Sequence, residues 1–393
     1  MFQRRQFLKA MAGGLMVSVL PNLSWALAPA GYRRLLVLIE LKGGNDGLNT
    51  VVPYASADYY RLRPGIAIPR EQVIPLSEQV GLHPAMASLR PLWQQQELAV
   101  LQGVGYPDPN LSHFRSIEIW ETASGSQQYL SEGWLTRLFR EQPTPHDFAA
   151  DGVVLSSQVL GPLDGGARAV VLTSPQDFAR QAKLAADQGH AGTGGALGHI
   201  LKVEGDIRQA AAELGQPAKP IAAADSPMAA PRPAGAFAQA VSTLADTLSR
   251  GVSIAVARIT LTGFDTHGNQ PPTQARLLAE LADGIALLRT QLQQQGRWDD
   301  TLVLSYAEFG RRPRENGNRG TDHGTANVHF ASGGRVRGGL YGQSPQLAGV
   351  SDGNLPYAID FRQVYATAIQ SWWGKDSHNA LGGRFDTLPI LKV

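Results

Sequence analysis

Residues 320–330, with the sequence GTDHGTANVHF, concentrate side chains that can bind a metal ion. The chain has nine histidines in 393 residues and no cysteine, so a metal site must use imidazole nitrogens and carboxylate or amide oxygens. We interpret His323 as a metal ligand and Asp322 as either a ligand or a residue that orients one. His329 lies in an apolar stretch and fits a packed or substrate-lining position.

Other acidic residues follow separate apolar runs. Asp265 and His267 lie two residues apart in GFDTHGNQ, Glu308 ends TLVLSYAE, and Asp46 lies among the glycines of LKGGNDGLN. The carboxyl ends of parallel strands meet at one edge of an α/β sheet, where ligands bind. The sequence therefore predicts one metal site built from Asp46, Asp265, His267, Glu308 and His323. In the alternative interpretation these side chains are only hydrogen-bonded within their loops or solvated.

The stretch PDPNLSHFRSIEIW, residues 107–120, contains a candidate nucleophile at the start of an apolar helix. A hydroxyl beside a metal ion loses its proton more readily, which favours Ser112 as the nucleophile, and Asn110 could donate a hydrogen bond to an oxyanion. His113 is an additional ligand candidate. In the alternative interpretation Ser112 only caps the helix, a position where serine is common.

Four arginines crowd the loop after Glu308 in the sequence EFGRRPRENGNRG. A guanidinium group can grip phosphate or sulfate through two parallel hydrogen bonds. Arg311 and Arg312 are therefore candidates for binding an anionic group of a substrate, while most arginines of such a loop would be solvated.

An alternation of helical and strand patterns must position these residues. Amphipathic stretches at 83–96, 236–251 and 274–296 each precede an apolar run of strand length, and a further apolar run covers residues 35–42. Helix, buried strand and polar loop in repeated succession predict a doubly wound, mostly parallel α/β sheet with helices on both faces. Residues 130–205 have weaker periodicity and suggest a cap or an irregular excursion, and the Ala- and Pro-rich residues 215–235 suggest a flexible surface insertion.

The first 26 residues have the features of an export signal. Arg4 and Arg5 precede Phe-Leu-Lys and a short apolar run that ends in SWA, a sequence suited to cleavage after Ala26. The paired arginines resemble the twin-arginine signal, so the expected partner is the twin-arginine export machinery and the expected location is periplasmic or extracellular. The apolar run is too short for a stable membrane anchor.

The charge balance argues against a nucleic-acid partner. Residues 1–26 contain three of the 35 basic residues and none of the 33 acidic ones, so the remainder has 32 basic and 33 acidic side chains and a net charge of −1. A nucleic-acid-binding protein would carry a basic surface instead.

Several motifs in order resemble one exported bacterial family, known as domain of unknown function 1501. They are LKGGNDGLNTVVPY, GVGYPDPNLSHFRSIEIW, GFDTHGNQ, AEFGRRPRENGNRGTDHGTAN, GGRVRGGLYG and DFRQVYATAI. The resemblance implies an alkaline-phosphatase-like fold, because that family is placed by similarity in the alkaline phosphatase and sulfatase superfamily, whose members carry a two-metal hydrolytic centre.

Carried over residue by residue, the resemblance implies that Asp46 binds one metal and that Asp265 and His267 bind the other. Glu308 replaces the carboxylate of the superfamily's Asp-His pair, but Phe309 stands where its imidazole is expected, so His113 or Asp322 would have to supply that ligand.

The sequence as a whole thus suggests an exported hydrolase of phosphate or sulfate esters. Its cofactor would be one or two divalent ions, zinc or manganese, and its partner a small anionic ester substrate. The alternative is a non-catalytic binding or assembly protein of the cell envelope that keeps the fold and one metal.

Overall fold

The computed structural model describes residues 31–172, 235–348, 350 and 353–392. The export signal predicted for residues 1–26 lies outside this range. The predicted flexible insertion at residues 215–235 also lies outside it, except for Gly235.

The described residues form one large sheet and two small ones. The strands, in chain order, are β1 Leu35–Lys42, β2 Val51–Val52, β3 Ile74–Pro75, β4 Gly81–Leu82, β5 Leu98–Gly105, β6 Ala150–Leu155, β7 Ala169–Leu172, β8 Ile254–Thr262, β9 Thr301–Tyr306, β10 Gly310–Arg311, β11 His323–Gly324, β12 Asn327–Ser332, β13 Gly339–Gly342 and β14 Ile359–Asp360. The large sheet has the order β13-β5-β12-β9-β1-β8-β6-β7, with β14 also beside β5. All of its pairings are parallel except those of β12, which is antiparallel to β5 and β9.

The central strand β1 is buried on both faces. Val37 and Ile39 pack in one hydrophobic core and Leu36 and Leu38 in another, because successive side chains of a strand point to opposite faces. Continuous apolar runs are typical of parallel strands covered on both sides. The prediction of a doubly wound, mostly parallel sheet with helices on both faces is confirmed.

The α-helices of the described residues are α1 Gly47–Thr50, α2 Ala57–Leu62, α3 Arg90–Gln94, α4 His113–Thr122, α5 Trp134–Glu141, α6 Ala236–Ser249, α7 Gln270–Gln294, α8 Phe361–Ala366 and α9 His378–Leu381. Short 3₁₀ turns cover Gly31–Arg33, Arg70–Gln72, Pro84–Leu89, Gly161–Leu163 and Trp298–Asp300, and a π-helical stretch covers Thr367–Trp372. Helices α6 and α7 pack in the first core, and α4 and α5 in the second. No helix among the described residues is long and apolar enough to cross a bilayer.

Two segments differ from the sequence-based expectation. Residues 130–172, the described part of the region that suggested a cap, contribute α5, β6 and β7, and both strands belong to the large sheet; residues 173–205 lie outside the described residues. Strand β6 has six consecutive buried residues, so its continuous burial hides the alternation by which strands are recognised. The expected helix at 83–96 is a 3₁₀ turn, which has non-helical backbone angles at Met86, followed by the five-residue α3.

The sheet order explains which loops meet. Strand β1 is parallel to both β8 and β9, so the segments after Lys42, Thr262 and Tyr306 emerge side by side. Gly43 has a positive φ of 116°, and a β-carbon there would lie 2.4 Å from the backbone nitrogen of Asp265. Only glycine therefore permits this close approach of the β1 and β8 loops.

Candidate metal centre

Three histidines surround the carboxylate of Asp265. Its Oδ1 lies 3.1 Å from Nε2 of His267 and 3.4 Å from Nε2 of His323, and its Oδ2 lies 3.4 Å from Nε2 of His113. The Nε2 atoms of His267 and His323 are 2.9 Å apart. We call these four residues the Asp265 cluster. The Asp265 side chain is 46% exposed, so the cluster opens to solvent.

The other ring nitrogen of each histidine faces an oxygen. Nδ1 of His113 lies 2.9 Å from Glu308 Oε1, and Nδ1 of His323 lies 2.8 Å from the carbonyl oxygen of Leu111. Nδ1 of His267 lies 3.4 Å from Asp322 Oδ1. These oxygens can accept an Nδ1 hydrogen, and a neutral imidazole that donates from Nδ1 has its Nε2 lone pair free for a cation placed between Nε2 and Asp265. Histidines that bind metals are oriented in this way.

Neighbouring groups alter the pKa values in the cluster. The hydrogen bond to Glu308 raises the pKa of His113, whereas burial lowers the pKa of His323. Burial alone would raise the pKa of the Asp265 carboxyl, but the hydrogen bond and charge of Arg311 hold it below its usual value. Asp265 is therefore an anion at neutral pH, as a metal ligand must be.

Glu308 lies behind the cluster and not in it. Its carboxylate is buried, and besides His113 it accepts hydrogen bonds from the backbone N–H of Gly43 at 3.0 and 3.2 Å. This position corrects the expectation that Glu308 is a ligand: the end of β9 presents the carboxylate to the Nδ1 side of His113. His113, which the sequence offered only as an additional ligand, takes the place next to Asp265.

The contacts of Asp46 also differ from those expected of a metal ligand. It ion-pairs with Arg63, and both side chains are fully buried. Its carboxylate also accepts hydrogen bonds from Leu48 N–H at 3.2 Å and from the Gln270 side-chain amide at 2.5 Å. Protein donors thus occupy both oxygens. No feature of the sequence around Arg63 indicated this pairing, which the fold brings together.

Arg311 differs from the substrate-binding role expected for it. The side chain is buried, and it donates hydrogen bonds to the carbonyl oxygens of Gly43, Gly44, Phe264 and Thr321 as well as to Asp265 Oδ1 at 2.7 Å. These oxygens engage Nε and both Nη atoms, and Nη1 also lies 3.5 Å from Nε2 of His267. Arg311 therefore ties three loops together and does not offer its fork to a substrate.

Arg312 is only partly buried. Its Nε has no hydrogen-bond partner among the described residues. It thus differs from Arg311, whose buried side chain is bonded to loop carbonyls and to Asp265.

Ser112 precedes α4 and is flanked by two contacts with the cluster. The carbonyl of Leu111 on one side meets His323, and the imidazole of His113 on the other meets Asp265. Ser112 is exposed, and its side chain makes no capping hydrogen bond to the helix. Asn110 Oδ1 accepts a hydrogen bond from the Ser112 backbone N–H at 2.9 Å, which orders the turn.

Asp322 lies on the Nδ1 side of His267, with Oδ1 3.4 Å from Nδ1. The side-chain amide of Asn316 donates to Asp322 Oδ1 at 3.1 Å and to the carbonyl oxygen of His267 at 3.0 Å. The hydrogen bond from Asn316 to Asp322 Oδ1 lowers the pKa of the Asp322 carboxyl. The amide of Asn316, which the sequence analysis did not single out, therefore links both residues.

Two aromatic rings of the region are packed. The ring of Phe309 lies 4.9 Å from the His113 ring and 4.4 Å from the His323 ring, measured between centroids. It forms an apolar wall of the cluster, at the position where the resemblance would place an imidazole. His329 is buried on β12 against Trp120, so of the two roles open to it the structure favours the packed one.

The donor set fits a divalent metal ion. Ligand atoms of His113, Asp265 and His323 all lie within 4.8 Å of one another, and His267 adjoins two of them. Bonds from zinc to nitrogen or oxygen are about 2.0–2.2 Å, so ligand atoms that share an ion lie roughly 3–4 Å apart. Facing Nε2 lone pairs repel each other unless a proton or a cation lies between them.

Residues 77–381 match the family described as protein of unknown function (DUF1501). The match covers most of the chain. The chain belongs to this family. No curated protein sequence matches the chain.

Solved structures give weak similarities. The phosphonate monoester hydrolase SpPMH from Silicibacter pomeroyi is 12% identical with a TM-score of 0.41, covering 89% of this chain and 75% of that one. The PsFucS1 sulfatase from Pseudoalteromonas sp. is 10% identical with a TM-score of 0.39, covering 91% and 70%. A protein in the alkaline phosphatase superfamily from Vibrio parahaemolyticus is 10% identical with a TM-score of 0.36, covering 81% and 65%. The proposals below therefore rest on the geometry of this DUF1501 protein.

Proposed function

We propose that this DUF1501 protein is a metal-dependent hydrolase of phosphate or sulfate esters. The observation that carries the proposal is the convergence of three imidazole Nε2 atoms on the solvent-exposed carboxylate of Asp265. Each imidazole is oriented from behind by an oxygen acceptor. This orientation is typical of histidines that bind metals, and it has no evident role in packing because the cluster opens to solvent.

His113, Asp265 and His323 would hold a zinc or manganese ion, with His267 as the fourth ligand. A bound divalent ion would polarise the ester and lower the pKa of a nearby hydroxyl. Glu308, Leu111 and Asp322 would orient the three imidazoles for such an ion by accepting hydrogen bonds from Nδ1.

Ser112 is the proposed nucleophile. Its oxygen forms a bond to phosphorus or sulfur, the ester oxygen leaves with the bonding electron pair, and the hydroxyl proton of Ser112 ends on the released alcohol. Water then cleaves the serine ester and restores the hydroxyl. The free hydroxyl at the start of α4 supports this role, because the capping interpretation requires a hydrogen bond that is absent. Asn110 would donate from its amide nitrogen to the developing oxyanion.

The anionic group of the substrate would be bound by Arg312, whose side chain is only partly buried. Arg311 is not assigned this role because its side chain is buried and bonded to loop carbonyls and to Asp265. The small anionic ester itself and delivery by the twin-arginine machinery to the periplasm or exterior are parts of the same proposal.

The engaged state of Arg311 also favours a second candidate, a non-catalytic envelope protein that binds one metal. Without a prepared anion grip, the Asp265 cluster could serve assembly or metal retention. Turnover separates the two candidates.

The test uses the chain purified without chelators, analysed for metal and then assayed on aryl phosphates and aryl sulfates. We expect bound zinc or manganese and metal-dependent hydrolysis. Ser112→Ala should lower kcat by at least about a thousandfold, as expected for loss of a nucleophile. Ser56→Ala is the matched control, because Ser56 also precedes a helix without a side-chain capping bond. A metal-loaded protein that hydrolyses no ester would favour the non-catalytic candidate, and a metal-free protein would contradict both.

A further inference from the structure

The carboxylate of Asp46 already has a cation. Arg63 Nη1 lies 2.5 Å from Oδ2 and Nη2 lies 3.0 Å from Oδ1, which is the bidentate geometry of a guanidinium on a carboxylate. Both side chains have no exposed surface. With the hydrogen bonds from Leu48 and Gln270 added, four donors meet the two oxygens. A metal ion would have to displace one of these buried contacts.

The position of Arg63 is itself fixed by the loops around it. Its Nε donates to the carbonyl oxygen of Pro313 at 2.7 Å, Nη1 also donates to Asn49 Oδ1 at 2.8 Å, and Nη2 also donates to the carbonyl oxygen of Arg312 at 3.0 Å. The pair therefore joins α1 to the loop after β10. Rotation of Arg63 away from Asp46 would leave a buried charge and several carbonyls without partners, which is costly.

Asp265 differs from Asp46 because arginine does not occupy both of its carboxylate oxygens. Arg311 meets Oδ1 of Asp265, but Oδ2 faces His113, and nearly half of the side chain is exposed. Of the two carboxylates, only Asp265 has imidazole nitrogens around it and access to solvent. Arg311 and Arg63 thus lie against the two aspartates as permanent positive charges.

From this contrast we propose that the centre takes a single divalent ion, at Asp265, and that the guanidinium of Arg63 holds Asp46 in place of a second ion. The inference rests on the metal site of the proposed function and deepens it. A second divalent ion at Asp46 would have to displace Arg63 from one of the two oxygens it bonds, which would leave a buried charge uncompensated, whereas Arg311 bonds only Oδ1 of Asp265.

The experiment begins with metal stoichiometry. The chain is stripped of metal, titrated with zinc alone and with manganese alone, and analysed by native mass spectrometry and elemental analysis. One ion per chain is the expected result. Two ions per chain would overturn the inference but leave the proposed hydrolase standing, whereas no bound ion would overturn both.

Substitutions then locate the ion. Asp46→Asn combined with Arg63→Gln removes both buried charges together, so neither is left uncompensated. We expect this double variant to keep one ion per chain with the affinity of the wild type, while Asp265→Asn loses the ion. A folded double variant that no longer binds zinc or manganese would overturn the inference. Circular dichroism verifies that each variant is folded, and the wild-type stoichiometry is decisive by itself if the double variant does not fold.

Discussion

Single-residue variants can distinguish a residue that orients a histidine from a residue that binds the metal directly. Asp322 faces Nδ1 of His267, whereas Asp265 faces three Nε2 atoms. We expect Asp322→Asn to weaken zinc binding by about 10–100-fold, as is typical when an orienting partner is lost. Asp265→Asn should abolish detectable binding because it removes a ligand and the anionic charge.

Isothermal titration calorimetry with zinc measures both variants. Asp376→Asn is the control, because Asp376, like Asp322, is an exposed aspartate whose carboxylate accepts a hydrogen bond. Equal affinities for Asp265→Asn and the wild type would contradict the assignment of the metal ligand.

His329 should make the fold sensitive to acid. Burial lowers the pKa of His329 to about 3, from an ordinary value of about 6.5. The unfolded chain takes up this proton first as pH falls below 6.5, so the stabilisation is present above that pH and is lost progressively toward pH 3. At pH 5 the loss from this group amounts to about 2 kcal/mol.

Urea unfolding at pH 7.5 and pH 5 measures this effect. His329→Leu should show a smaller decrease in the free energy of unfolding between the two pH values than the wild type. His146→Gln, a change at an exposed histidine, should behave as the wild type does. An unchanged pH dependence in His329→Leu would refute the explanation.

At the scale of elements, a buried ionic group ties β1 to β8 and to α4. Arg258 Nη2 lies 2.8 Å from Glu40 Oε2 and 3.0 Å from Glu121 Oε1, and Arg258 Nε donates to the Tyr306 hydroxyl at 2.9 Å. Arg258 and Glu40 are almost fully buried. Burial also raises the pKa of Glu121 to about 7, despite the nearby charge of Arg258.

Arg258→Met should therefore destabilise the fold by about 3–5 kcal/mol, because Glu40 would remain buried without its counter-ion. The double variant Arg258→Met with Glu40→Gln should be less destabilised than the single one. Arg276→Met removes an exposed pair with Glu280 on α7 and should change the free energy of unfolding by less than about 1 kcal/mol. Urea unfolding measures all three, and a single variant no less stable than the double one would refute the argument.

For the whole molecule, the prediction concerns export. Replacing Arg4 and Arg5 together by Lys keeps the charge but removes the arginine pair that resembles the twin-arginine signal. We expect the precursor to accumulate in the cytoplasm, measured by cell fractionation and immunoblotting. Lys9→Arg is the matched control and should be exported normally. Normal export of the double-Lys variant would show that the pair has another purpose.

The local pattern of the sequence by itself determined the architecture and the region of the site. The apolar runs that became β1, β5, β8 and β9 have too much continuous hydrophobicity to lie anywhere but inside a covered sheet. The same pattern predicts that the Asp, His and Glu residues at the strand ends, including Asp265 and His267, lie at one edge of the sheet.

Only the tertiary structure decided which carboxylates face the imidazoles. Asp46 and Glu308 have the same residue chemistry and the same strand-end position as a ligand. Arg63, 17 residues from Asp46, occupies one of them, and His113, 195 residues from Glu308, turns its Nδ1 toward the other. Such pairings depend on long-range packing and on side-chain direction within a few ångströms. Local sequence pattern carries the periodicity of burial but not these contacts, because they arise between segments that meet only when the sheet is assembled.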